Sequence, residues 1–139
     1  MLLYRDYKGF LWFRASSGLV KYDSVNFFSF LPNEVDSFAQ TYCTVTSLIE
    51  DGDSNLWVGT DNGLAEYDRR HNHFKRVKIV SSNASTGINL LVKKSRNEFW
   101  ICGAGHLWAF NTHTFQSREI QIQNRNGGRE MILTLTVPA

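Results

Sequence analysis

Cysteine and proline are scarce, with two of each in 139 residues. Cys43 and Cys102 are far apart and form no Cys-x-x-Cys pair, so a zinc or dithiol redox site is not expected, and free buried thiols are the simpler reading. No charge of one sign predominates. Fifteen Lys and Arg against thirteen Asp and Glu leave a formal charge of +2, which gives no electrostatic footprint for nucleic acid or an anionic membrane. No apolar run approaches the roughly 20 residues of a membrane-spanning helix, and Met1-Leu2-Leu3 passes straight into Tyr4-Arg5-Asp6 without a signal-peptide core. Direct membrane insertion by this segment is not expected, and any export or anchoring segment would lie outside it. Also missing are a Gly-rich phosphate loop, a Gly-x-Ser-x-Gly elbow, a His-Glu-x-x-His pair and a repeated catalytic carboxylate. The expectation is a non-enzymatic segment with no catalytic residue, cofactor or metal.

What the chain does have is aromatic side chains, 14% of its residues, placed at a regular interval. The stretch from Glu50 to Asp68 reads as an acidic turn (Asp51-Gly52-Asp53-Ser54-Asn55), a strand centred on Trp57, an Asn62-Gly63 hairpin turn and a strand closing at Tyr67-Asp68. The same order of parts occurs upstream as Asp6-Tyr7-Lys8-Gly9-Phe10-Leu11-Trp12, Ser17-Gly18-Leu19 and Tyr22-Asp23. It occurs again downstream as Ser95-Arg96-Asn97-Glu98-Phe99-Trp100, Ala104-Gly105-His106-Leu107 and Phe110-Asn111. Trp12, Trp57 and Trp100 are separated by 45 and 43 residues, and Tyr22, Tyr67 and Phe110 each follow their tryptophan by ten. A period of about 40 to 50 residues filled with strand and turn signals indicates β-propeller blades, each a four-stranded sheet that needs neighbours to bury its faces.

The acidic turn, Leu56-Trp57-Val58-Gly59-Thr60, Asn62-Gly63-Leu64 and Tyr67-Asp68 together resemble the two-component regulator propeller repeat. That repeat is found in the extracytoplasmic sensor regions of bacterial hybrid histidine kinases, best known from Bacteroides-type organisms that sense glycans. The middle unit matches closely. The first has Phe13-Arg14-Ala15 in place of Val-Gly-Thr, and the third matches loosely. The resemblance names no catalytic residue and no particular ligand.

The fold expected is all-β, a β-propeller fragment occupying residues 1–139. It comprises three four-stranded blades, at about 2–31, 44–79 and 86–122, and the first strand of a further blade at 130–137. Because a propeller ring takes four to eight blades, further blades of a parent protein are the first expected partner. By resemblance, the segment belongs to the ligand-sensing region of a hybrid two-component histidine kinase on the periplasmic or extracellular side. The parent would be a homodimer responding to an oligosaccharide. Two alternatives from other classes are a propeller scaffold for protein interaction without a kinase, and a fragment of a propeller lyase.

Individual residues divide into structural and functional candidates. Trp12, Trp57 and Trp100 invite a sugar-stacking role, yet a large aromatic needed once per blade is expected to fill the space between sheets, stabilising by roughly 1.5 to 3 kcal/mol. Gly18, Gly63 and Gly105, with Tyr22, Tyr67 and Phe110, complete the expected repeat core. The acidic turn at Asp51 begins like a calcium loop, but Leu56 and Asn62 stand where that loop needs glycine and glutamate, so a polar turn is expected. His71 and His73 share an outer turn with Arg69 and Arg70, beside Lys75, Arg76 and Lys78, and read as a charged edge strand that guards against sheet pairing. Binding is expected on rim loops and turns, where a rigid sheet presents variable side chains. Tyr42, Asp61, Asn62 and His106 are the candidates by position.

Overall fold

The computed structural model describes residues 2–15, 18–30, 44–79 and 87–121. They form three four-stranded antiparallel sheets, each a simple meander in chain order. The first contains β1 (Leu3–Arg5), β2 (Leu11–Ala15), β3 (Gly18–Tyr22) and β4 (Phe27–Phe30). The second contains β5 (Val45–Glu50), β6 (Leu56–Thr60), β7 (Gly63–Asp68) and β8 (His73–Val77). The third contains β9 (Leu90–Ser95), β10 (Glu98–Gly103), β11 (His106–Asn111) and β12 (Ser117–Ile120). These sheets fall within the three expected blade units, and the fold is all-β. Among the described residues, no helix is long and apolar enough to cross a membrane. The expected strand at 130–137, Tyr42 and Cys43 lie outside the described residues.

Alternation of side chains along each strand creates two cores, one on either side of the middle sheet. Leu56 and Val58 of β6 join Trp12, Leu19, Phe30, Tyr67 and Phe74 in the core shared with the first sheet. Trp57, between them in sequence, joins Phe99, Ile101, Trp108 and Phe110 in the core shared with the third sheet. Every residue of β6 is therefore buried, as expected for a strand with both faces covered. The Gly in Leu-Trp-Val-Gly-Thr has a packing reason. A Cβ on Gly59 would lie 2.8 Å from Ile88 Cγ2, so its absence lets the chain entering the third sheet approach closely. At the corresponding place in the first unit, Arg14 instead reaches across to donate to the Val45 carbonyl at 3.3 Å.

Three local expectations are corrected. Thr60 pairs with Gly63, so the two-residue turn is Asp61-Asn62 and not Asn62-Gly63. Neither turn residue has a positive φ, while Gly63 does, at 132°; the glycine is required just after the turn, where the strand begins. In the third hairpin Gly103 pairs with His106, and Ala104 and Gly105 both have positive φ, the geometry of a type I′ turn. Trp100 and Tyr22 hold their places in the repeat but are only half-buried, because among the described residues no second sheet packs on the faces of the third and first sheets to which they point. Cys102, opposite Leu90 on that third-sheet face, is likewise a free, half-buried thiol and not a buried one.

Candidate functional site

In each meander the first and third turns share one end of the sheet, and the second turn lies at the other. The first-and-third-turn end is built from acidic turns that hold the tryptophans. Asp6 Oδ1 accepts hydrogen bonds from the Lys8 and Phe10 amides, both at 3.0 Å, and Oδ2 accepts from Trp12 Nε1 at 3.0 Å. Asp51 repeats this: Oδ1 accepts from the Asp53 and Asn55 amides and Oδ2 from Trp57 Nε1 at 3.0 Å. Both carboxylates are buried. Their lone pairs are used by the turn and the indole, which explains why the turn at Asp51 is a structural device despite its calcium-like opening. Sequence reasoning missed this link, although the aspartate six residues before the tryptophan was there to be read. Lys94 replaces the aspartate in the third unit, with its ammonium 5.3 Å from the Trp100 ring and paired to Glu98.

Arg69, in the third turn of the middle blade, bridges two blades at this end. Its guanidinium lies 3.1 Å from Asp6 Oδ2 and 3.3 Å from Glu50 Oε2, and donates to the Ser54 carbonyl at 3.3 Å. It also lies over the Tyr7 ring, 4.8 Å from the centroid. Burial pushes the Asp6 carboxyl up, but the hydrogen bonds from Trp12 and Arg69 outweigh it and hold the group below its ordinary range. Nearby, Lys21 Nζ is 3.1 Å from the Tyr67 hydroxyl and 3.3 Å from Asn72 Oδ1, with aromatic rings around it. Burial lowers its pKa. Chemically, this set locks neighbouring blades together.

A cleft of about 310 Å³ opens beside the lock, lined by Asn55, Glu66, Tyr67, Asp68, Arg69, Arg70 and Lys75. Burial, followed by the charge of Asp51, raises the pKa of Glu66, and burial raises that of Tyr67. At its outer edge Asp68 Oδ1 accepts from the Arg70 and His71 amides, and Oδ2 lies 2.8 Å from His71 Nδ1 and 3.1 Å from Lys75 Nζ. Those partners, His71 first, hold the Asp68 carboxyl well below the usual range.

The residues proposed from loop position lie elsewhere. Asp61 and Asn62 form the second turn of the middle blade, and His106 begins β11 just after the second turn of the third. They occupy corresponding ends of adjacent blades, opposite the Asp6–Arg69 end. Asp61 Oδ1 accepts from the Thr44 amide at 2.9 Å, the Asn62 carbonyl accepts from Arg76, and His106 Nδ1 lies 2.6 Å from Glu119. Asp61 and His106 are exposed and Asn62 half-exposed.

A family model described as Two component regulator propeller matches residues 30–62. The extracellular domain of the hybrid two component system BT4673 of B. thetaiotaomicron is 28% identical, over 79% of this chain and 15% of that one, with a TM-score of 0.66. Another structure of that extracellular domain, described as belonging to a one component system, aligns equally well. The extracellular domain of the hybrid two component system BT3049 of the same organism is 19% identical over 84% of this chain and 17% of that one, again at 0.66, which shows the fold alone. A search of curated proteins returned no match. Residues 30–62 thus match the two-component regulator propeller repeat, and the chain is similar to extracellular domains of two-component systems of B. thetaiotaomicron. It spans less than a fifth of the length of those domains.

Proposed function

We propose that the chain is a non-catalytic part of the ligand-sensing region of a hybrid two-component histidine kinase, on the periplasmic or extracellular side of the membrane. The carrying observation is the 28% identity to the extracellular domain of such a system, over 79% of this chain. The open faces of the outer blades support it. Trp12 of the first blade meets Tyr67 of the second, and Trp57 of the second meets Phe110 of the third. Among the described residues Trp100 and Tyr22 are the two unmatched halves of that contact, and further blades of the parent would supply their partners. The parent would be a homodimer whose geometry changes on binding an oligosaccharide, with Asp61, Asn62, His106 and Tyr42 as the contact residues from this segment.

Kinase autophosphorylation of the full-length parent in membranes, measured against a panel of oligosaccharides, tests this reading. Stimulation by one sugar class, reduced by Asp61→Ala or His106→Ala with protein level unchanged, supports it. No phosphorylation under any condition, or a cytoplasmic location of the segment by protease accessibility, rejects it.

A further inference from the structure

The outer hairpin of the middle blade carries a group that the repeat does not require. In all three blades this hairpin is organised by a polar residue that accepts from two amides of the turn: Asp23 from Val25 and Asn26, Asp68 from Arg70 and His71, Asn111 from His113 and Thr114. Turn formation therefore accounts for Asp68 and for nothing else in the group. His71 and His73 have no histidine counterparts in the first blade, whose outer hairpin is two residues shorter and has Asn26 in the place of His73. In the third blade those places hold Thr114 and Gln116. The two rings lie 5.9 Å apart between centroids. One ligand atom from each of Asp68, His71 and His73 falls within 4.8 Å of the others, and this is the group with that property among the described residues.

We propose that Asp68, His71 and His73 form a binding site for a borderline-soft divalent cation of the zinc class, with water completing the coordination. Two imidazoles and one carboxylate suit Zn²⁺, Ni²⁺ or Cu²⁺, and lack the six or more oxygens that Ca²⁺ takes. Ligand atoms up to 4.8 Å apart must draw in to about 3 to 3.5 Å around an ion with bonds near 2 Å, a movement within rotamer reach of exposed His71. Asp68 Oδ2 already faces His71 Nδ1 at 2.8 Å. Lys75 Nζ, 3.1 Å from Asp68 Oδ2, is the competitor: with 58% of its side chain exposed it can swing into solvent, leaving the metal as the countercharge. The acidic turn at Asp51 offers no comparable site, since turn amides and Trp57 occupy its carboxylate.

Calorimetric titration of the untagged, chelator-treated chain with ZnCl₂ and with NiCl₂ at pH 7.5 tests the site. One equivalent should bind with a Kd below about 100 μM, weakened at least tenfold by His71→Ala and by His73→Ala. His113→Ala, in the outer turn of the third blade, should leave binding unchanged. Lys75→Gln should tighten it, a change that loss of folding cannot imitate. Absence of binding at 1 mM metal, or affinity unaffected by both histidine substitutions, overturns the proposal.

Discussion

The indole of Trp12 and the phenol ring of Tyr67, from adjacent blades, meet edge to face with centroids 4.9 Å apart and planes at 75°. Trp57 and Phe110 repeat the relationship one blade later, at 5.3 Å and 71°. In sequence the tryptophan and the aromatic ten residues on belong to one hairpin. In space they point to opposite faces, because Trp12 lies across from Lys21 and Tyr22 across from Leu11. Each blade therefore offers a tryptophan to one neighbour and a smaller ring to the other, which gives the stack a direction.

Burial separates the three tryptophans energetically. Trp57→Ala removes a fully buried indole and leaves the buried carboxylate of Asp51 without that donor, so it should cost about 3 to 5 kcal/mol. Trp100→Ala, at a half-buried site, should cost about 1 to 2 kcal/mol. Chemical denaturation at one fixed protein concentration measures both; equal losses would contradict the open-face assignment.

The close approach at Gly59 predicts a rescue. Gly59→Ala places a methyl 2.8 Å from Ile88 Cγ2 and should destabilise by about 1 to 3 kcal/mol. Ile88→Ala removes that Cγ2, so the double variant should lose less than the sum of the two single losses, giving a coupling energy well away from zero. Additive losses would show that the two side chains do not compete for the same space.

Glu66 sets up a pH-dependent substitution. Its carboxyl is raised above the ordinary 4.5 by burial and by Asp51. A raised folded-state pKa means that the group's favourable contribution is complete below about 4.5 and is lost as pH rises through the folded value. At pH 7 the charged form is therefore a liability, and Glu66→Gln should raise the melting temperature by a few degrees. That gain should vanish by pH 4. A melting temperature lowered at pH 7 would reverse the sign of the argument.

Asp6 behaves in the opposite sense. Its folded pKa lies below the ordinary 3.8, so its contribution is present above 3.8 and is lost as pH falls through the folded value. Arg69→Met removes a hydrogen-bonded cation from that buried carboxylate. The guanidinium is one-fifth exposed, so the loss should be near the lower end of that for a broken buried pair, about 2 to 3 kcal/mol. Urea melts at pH 7 and pH 3 would show the penalty shrinking in acid.

The open faces predict association of residues 1–139 expressed alone. Leu3 and Phe27 are 57% and 65% exposed on the first sheet, while Leu90 and Val92, 51% and 45% exposed, flank Trp100 on the third. Contiguous apolar surface of this kind is uncommon on soluble monomers. Light scattering after size exclusion should give a dimer or larger species, and head-to-tail pairing would quench Trp100 fluorescence in its neighbour's face. A stable monomer would remove the basis for further blades.

Sequence alone determined the blades, because a tryptophan, a turn and a closing aromatic recurring every 43 to 45 residues leave few architectures that can bury them. Leu56-Trp57-Val58 carries large side chains on both faces, and the structure covers both, so every residue of β6 is buried. Tertiary structure decided which face each ring serves and which tryptophan is covered, for that depends on the presence of a neighbouring sheet and not on the residue's place in the repeat. It decided the exact turn as well: Asn62-Gly63 is the stronger local signal, but the register of β6 against β7 puts Gly63 in the strand. The lock of Arg69 on Asp6 spans 63 residues, and the approach of His71 to His73 depends on the curl of one hairpin. Neither leaves a periodic trace in the sequence, since charged side chains that meet across blades obey distance in space and not spacing along the chain.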